Sequence, residues 1–268
     1  MRMVEFARGS LAVAAASLAV LTLTYGDLAP LGQSLPAWIP GHDIWVYGPA
    51  LLLLVAGAGL CFARTALPSV STIGGYHALW ALAGIPPIFA KPLSIGSWYG
   101  FCEAMTALTG AWILYVLLRW QRQGSELPVA SAHAVRVAQV VFGSTCAFYG
   151  WSHFVYADYT AGMVPNWLPD PLGIAYFTGL GHLAAGMGIA LGILPRLAAT
   201  LEALMMSLFG LLVWVPSFWA NPRPKWATPP ASQWSELVVN GVLVASALVV
   251  VASLTSRPWF LASRSRSV

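Results

Sequence analysis

Pro36-Ala-Trp38-Ile-Pro40 returns, 129 residues further on, as Pro165-Asn-Trp167-Leu-Pro169. The segments that follow keep the same register: Tyr47 meets Tyr176, Leu51 meets Leu180, Gly57 meets Gly186 and Gly59 meets Gly188. Pro86-x5-Pro92 returns as Pro216-x5-Pro222, and Glu103 as Glu236, with shifts of one and four residues more. An internal repeat decides how the rest of a chain is read. Here it makes the chain two copies of one unit, so each polar residue has a counterpart to be judged against.

The solvent of the fold follows from composition. The 268 residues are 58% hydrophobic and 8% charged. A soluble domain carries roughly 25% charged residues. So few charges cannot cover a water-exposed surface, and lipid is the solvent that accepts the rest. The expected fold class is all-α: a polytopic membrane protein. Eight apolar spans are predicted at about 10–30, 44–63, 69–90, 98–118, 134–155, 172–194, 197–219 and 234–254. Each is near the ~20 residues a bilayer requires.

Four spans per unit is an even number, so the two units enter the membrane in the same orientation as parallel repeats. The expected organisation is a diverged first four-helix unit at 1–124, a linker at 125–133, a second four-helix unit at 134–256 and a basic tail at 257–268. The net charge of +4 is topological. Arg2, Arg8, Arg64, Arg119, Arg122, Arg136, Arg196, Arg257, Arg264 and Arg266 fall on one side; Lys91, Arg223 and Lys225 fall on the other. The positive-inside rule puts the larger group, and both termini, in the cytoplasm. The expected location is the bacterial inner membrane. Asp27, Asp43, Asp158 and Asp170 then lie outside. The apolar run after Arg2 and Arg8 has the look of a signal peptide, but its place before the first Pro-Trp-Pro segment matches that of span 5 before the second, so it is read as a membrane helix.

Cys61, Cys102 and Cys146 all lie in apolar stretches without a Cys-x-x-Cys pair, and read as small buried hydrophobes. No basic patch for nucleic acid, phosphate-binding loop, nucleophile elbow or structural-metal ligand set is present.

Four segments carry polar groups that chemistry could use. The loop Tyr156–Pro171 is stiffened by Pro165, Pro169 and Pro171 and carries Trp167. It reads as a rigid interfacial cap or as a lid over a site. Tyr149, Ser152, His153 and Tyr156 share one helical face. Thr178, His182 and Gly186 share another, after Tyr176, and His182 lies roughly 15 Å into its span. Gly188-x3-Gly192 suits close helix approach. Glu236 and Asn240 stack one turn apart, beginning at Trp234. An intramembrane ionisable group is a functional hypothesis by default, against the rival of a hydrogen-bonded structural histidine. His153, His182 and Glu236 are the candidate catalytic residues, with Glu236 placed at the depth of His153. Tyr149, Tyr156, Trp167, Tyr176, Thr178, Trp234 and Asn240 are the candidate binding residues.

Gly150-x-x-His153-Phe154, Val164-Pro-x-Trp167-Leu-Pro169, Tyr176-x-Thr178-Gly179-x-x-His182-Leu-Ala-Ala-Gly186 and Trp234-x-Glu236 occur in that order between Phe142 and about Val251. In this the second unit resembles the DoxX-like family of small four-helix bacterial membrane proteins. The first unit resembles it only through Pro36-x-Trp38-x-Pro40, the Gly57/Gly59 helix and Glu103. The family's namesake is a membrane subunit of a thiosulfate:quinone oxidoreductase, and many members have no assigned activity. The resemblance implies a membrane subunit of a redox system. A quinone is its one candidate cofactor, and a redox protein its partner besides lipid. The alternatives are a non-catalytic membrane scaffold and a carrier for a small amphipathic solute. The same 129-residue shift aligns His153 and His182 with Thr24 and Leu53, which places any chemical site in the second unit, on the outer side.

Overall fold

A computed structural model describes residues 2–26, 38–123, 128–220 and 230–260, with side chains from 233 in the last segment. Pro36, Asp27, Pro222, Arg223, Lys225, the first part of the linker at 125–127, and Arg264 and Arg266 of the tail lie outside the described residues.

The described residues are helical, with no strand among them. The long helices are α1 (Arg2–Tyr25), α2 (His42–Leu60), α3 (Ala66–Ala83), α5 (Tyr99–Gln123), α6 (Val129–Val155), α8 (Pro171–Leu191), α9 (Pro195–Phe209) and α11 (Pro230–Ser253). Short α4 (Ile85–Ala90) and α7 (Ala157–Ala161) follow α3 and α6, and α9 runs on through a π-turn into α10 (Val215–Ser217). Six are long and apolar enough to cross a membrane: α1, α2, α5, α8, the α9–α10 rod and α11. Their outward faces carry large apolar side chains such as Leu52, Val55, Leu180 and Leu204. These are the helices of an integral membrane protein, apolar toward lipid as well as toward the core.

Three boundaries differ from expectation, each for a local reason. α1 begins at Arg2 rather than near residue 10, because Glu5 and Arg8 pair one turn apart at 2.6 Å and carry the helix into the polar segment. α3 stops at Ala83, and Pro86 and Pro87 start α4 as a separate turn. Proline lacks the N–H that a continuous helix needs. α6 begins at Val129 with Pro128 as its N-cap, so residues 129–133, expected in the linker, are helical.

The helices pack as a closed ring in chain order: α1 on α2, α2 on α3, α3 on α5, α5 on α6, α6 on α8, α8 on α9, α9 on α11 and α11 back on α1, with α5 also against α11. The closest pair is α6 with α8. A Cβ placed on Gly143 would lie 2.5 Å from Gly186 O, and one on Gly150 would lie 2.6 Å from Gly179 O. Four glycines, two per helix, let the backbones touch. The expected Gly188-x3-Gly192 contact is not the one made. Gly188 faces Ala198 of α9. Gly192 is the left-handed C-cap of α8 at φ 76°, a position glycine takes without strain.

Arginines gather at one end of the bundle. Arg136 donates to the carbonyls of Ile189 and Ala190 at the C-terminus of α8. Arg196 donates to Thr255 O and Arg257 O beyond α11, with its guanidinium 4.0 Å above the Trp259 ring. Cations there complement helix C-termini. The opposite end carries exposed Trp38, Trp167 and Trp219, the amphipathic rings that suit a membrane–water boundary.

Candidate functional site

At the tryptophan end, α8 and the α9–α10 rod part to leave a cavity of about 1520 Å³. The parting has two local causes. Asp170 caps α8 by accepting from Gly173 N at 3.0 Å, with Pro171 in the first turn; this fixes where the chain turns down into the bundle. On the other wall, Pro216 cannot donate to a residue four back. The backbone widens into the π-turn Gly210–Trp214, which brings Leu212, Val213 and Trp214 onto the cavity. A π-turn of this kind re-aims the side chains around it.

The walls are largely apolar: Phe177 and Gly181 of α8, Leu201, Leu204, Met205 and Leu208 of α9. The loop after α6 forms the roof, through Tyr156, Tyr159, Met163, Val164, Pro165 and Leu168. The cap and lid readings of this loop therefore describe one object. Burial raises the Tyr159 phenol above its ordinary value, with a smaller contribution from the Glu236 carboxyl.

Polar groups gather where the cavity meets a second, smaller space. His153, Thr178, Glu103, Glu236 and Tyr99 line the cavity. An adjoining pocket of about 140 Å³ is lined by Glu103, Tyr149, Ser152, His153, His182, Glu236 and Asn240. The two spaces share Tyr99, Glu103, His153, Phe209, Trp214 and Glu236. No Lys or Arg lines either one among the described residues.

The hydrogen bonds assign roles. His153 Nδ1 lies 3.3 Å from Ala175 O and 3.0 Å from Thr178 Oγ1. A carbonyl only accepts, and the Thr178 hydroxyl already donates to Ile174 O or Ala175 O at 2.9 and 3.0 Å. His153 Nδ1 is therefore the donor. His182 is buried and its Nδ1 lies 2.8 Å from Oε1 of Glu202, also buried. The Cys146 thiol faces the same carboxyl group, whose Oε2 is left without a hydrogen bond of good geometry. The two imidazoles meet edge to face with centroids 5.2 Å apart, and Phe209 packs on both. Tyr149 ties the site to α5 through Thr106 Oγ1 at 2.9 Å, and the Tyr99 hydroxyl donates to Ser152.

Of the residues singled out in the sequence, His153, His182, Glu236, Tyr149, Tyr156, Thr178 and Asn240 come together here. Three do not. Trp167 is 70% exposed; its neighbours Pro165 and Leu168 point inward instead. Tyr176 stacks on Phe154, centroids 5.6 Å apart, and Trp234 on Phe218 at 4.2 Å. Neither lines the cavity. The expected pairing of Glu236 with His153 is replaced by the Thr178 and Ala175 contacts, and the carboxylate that meets a histidine is Glu202, on His182. Sequence reasoning passed over Glu202. The available signal was a lone carboxylate between Leu201 and Ala203 in an otherwise apolar helix. Glu103, marked in the sequence by its repeat partner Glu236, brings α5 into the site.

No group of three or more His, Cys, Asp or Glu side chains among the described residues is placed to hold a metal ion. Residues 142–251, less than half of the chain, match a family described as a domain of unknown function, DUF8561. No curated protein and no solved structure matches the chain.

Proposed function

We propose that this chain crosses the membrane eight times as two parallel four-helix units, and that it binds a membrane-soluble amphiphile of quinone or lipid type. The observation that carries the binding reading is the cavity of about 1520 Å³, apolar along its α8 and α9 walls, with polar groups gathered where it meets the smaller pocket and in its roof. Ligand sites are concave and mostly apolar with a few convergent polar groups. A tail would lie between α8 and α9, and the head would sit beneath the Tyr156–Leu168 roof against Glu103, His153 and Glu236.

Pairs of equivalent contacts support the two-unit reading. A Cβ on Gly57 would meet Ala12 O and Ala16 N, as one on Gly186 would meet Gly143 O and Ala147 N. Gly59 faces Ser69 as Gly188 faces Ala198. In that correspondence α1 and α6 are offset by 131 residues rather than 129, so His153 answers to Thr22. His182 and Glu202 answer to Leu53 and Ile73, both fully buried. The first unit keeps an apolar pair where the second holds an imidazole and a carboxyl group.

The motif likeness to DoxX-like proteins favours a role beside a redox complex at the inner membrane, with the termini cytoplasmic and electrons supplied by a partner protein. The test is direct. The full chain is purified from its own membranes, extracted, and searched by mass spectrometry for a bound isoprenoid quinone or lipid. The stripped protein is then titrated with a short-tailed quinone while Trp fluorescence is followed. A co-purifying amphiphile and a saturable change are expected. An empty extract together with a flat titration would sink the reading.

A further inference from the structure

The hydrogen bonds behind the cavity say which kind of head group it takes, given the amphiphile-binding reading above, on which this inference rests. His153 donates through Nδ1 to Ala175 O and Thr178 Oγ1. His182 meets Glu202 through Nδ1. Glu202 touches neither cavity. Its carboxyl group faces two groups that can donate, the imidazole and the Cys146 thiol, and so accepts. In a neutral imidazole, the nitrogen not bonded to hydrogen is an acceptor, and its identity is set by the bond the other nitrogen makes. With both rings neutral, Nε2 is the bare nitrogen of each, and both rings line the 140 Å³ pocket.

We propose that Glu202 is a positioning residue. It holds His182 in the Nδ1–H tautomer so that the pair His153 and His182 presents two acceptors to the ligand head, and the site selects an amphiphile whose head carries a hydroxyl donor. An aryl hydroxyl fits. An ether or ester of the same shape leaves both acceptors unpaired, which is the costly outcome in a dry pocket. A phosphate or carboxylate head would meet no Lys or Arg in the lining. The dyad is also what separates the units, since Leu53 and Ile73 stand in its place in the first.

The test uses two probes of one shape, para-decylphenol and its methyl ether, titrated into the purified full chain in nanodiscs with Trp fluorescence as readout. The phenol is expected to bind about tenfold tighter or more, the ratio one well-made buried hydrogen bond supplies. In the double variant His182→Leu with Glu202→Ile, which copies the first unit's apolar pair and leaves His153 as the remaining acceptor, that ratio should fall by about threefold or more. Nitrogen-15 spectra of histidine-labelled wild-type protein should show the Nδ1–H tautomer for both rings. That measurement needs no variant and stands if the double variant fails to fold. Equal binding of phenol and ether would overturn the inference and leave the cavity reading intact. So would a phenol preference undiminished in the double variant, or a His182 ring carrying hydrogen on Nε2. Binding of neither probe would overturn the cavity reading itself.

Discussion

Gly186 and Gly75 are both helical glycines, and the structure sets them apart. A Cβ on Gly186 would run into Gly143 O and lie 2.6 Å from Ala147 N, atoms of a neighbouring backbone that cannot step aside. A Cβ on Gly75 would meet nothing within 4 Å. Gly186→Ala should therefore force α6 and α8 apart and cost about 1–3 kcal/mol, the range for overpacking. Gly75→Ala should be neutral or stabilise by up to about 1 kcal/mol, the difference in helix propensity. Thermal unfolding of the two variants in one detergent checks both signs. A third residue tests the roof. Asp170 caps α8 from a left-handed conformation at φ 46°, and Asp170→Ala removes the cap, for a loss of about 1 kcal/mol. If that variant unfolds with wild-type stability, the cap does not set the α8 start as argued.

The wall between α8 and the α9–α10 rod decides whether the cavity is a binding site. Leu204 is half exposed on α9 and lines the opening. Leu204→Trp puts an indole across the mouth without touching the glycine-packed α6–α8 pair. Binding of an amphiphilic probe should weaken by about tenfold or more, with the unfolding temperature unchanged. Unaltered binding would mean that ligand does not enter between these helices. Most of the scaffold at this scale was legible in the sequence, because hydropathy marks six of the eight long helices and Pro86, Pro165 and Pro171 mark breaks that follow from backbone chemistry alone. What was not legible comes from pairing between helices. Glu202 and His182 sit on different helices, and no single-helix periodicity brings them face to face. Trp167, Tyr176 and Trp234 misled for the opposite reason. An aromatic ring at the membrane boundary satisfies its amphipathic character there, so its presence near a motif does not turn it inward.

At the scale of the molecule, the open question is whether α3 and α6 cross the membrane as the other six do. Both are less apolar, and both carry polar side chains that lipid penalises when unpaired. In the fold most of those groups have partners, the Nδ1 of buried His77 in α3 being the exception. Ser71 and Thr72 of α3 donate to Leu67 O and Pro68 O of their own helix. In α6, Gln139 donates to Ser253 Oγ at 3.0 Å, Arg136 to the end of α8, Thr145 and Ser152 to carbonyls one turn back, and His153 to Ala175 O. Hydropathy counts those side chains as though they were unpaired, whereas their own helix or a neighbour has already satisfied most of them. Both helices also fill places in the closed ring, and removing either would bare the α5 and α8 faces they cover. The proposed eight crossings put the two ends of α3, and the two ends of α6, on opposite sides. The prediction can be read with single cysteines in a variant lacking Cys61, Cys102 and Cys146. A membrane-impermeant thiol reagent added to intact cells should label Lys91→Cys and Asp158→Cys. It should reach Arg64→Cys and His133→Cys only after the membrane is opened. Labelling of both members of a pair, Arg64 with Lys91 or His133 with Asp158, from the same side would show that the helix between them does not cross, and the roof over the cavity would then lie on the wrong face of the bundle to receive a ligand from the outer leaflet.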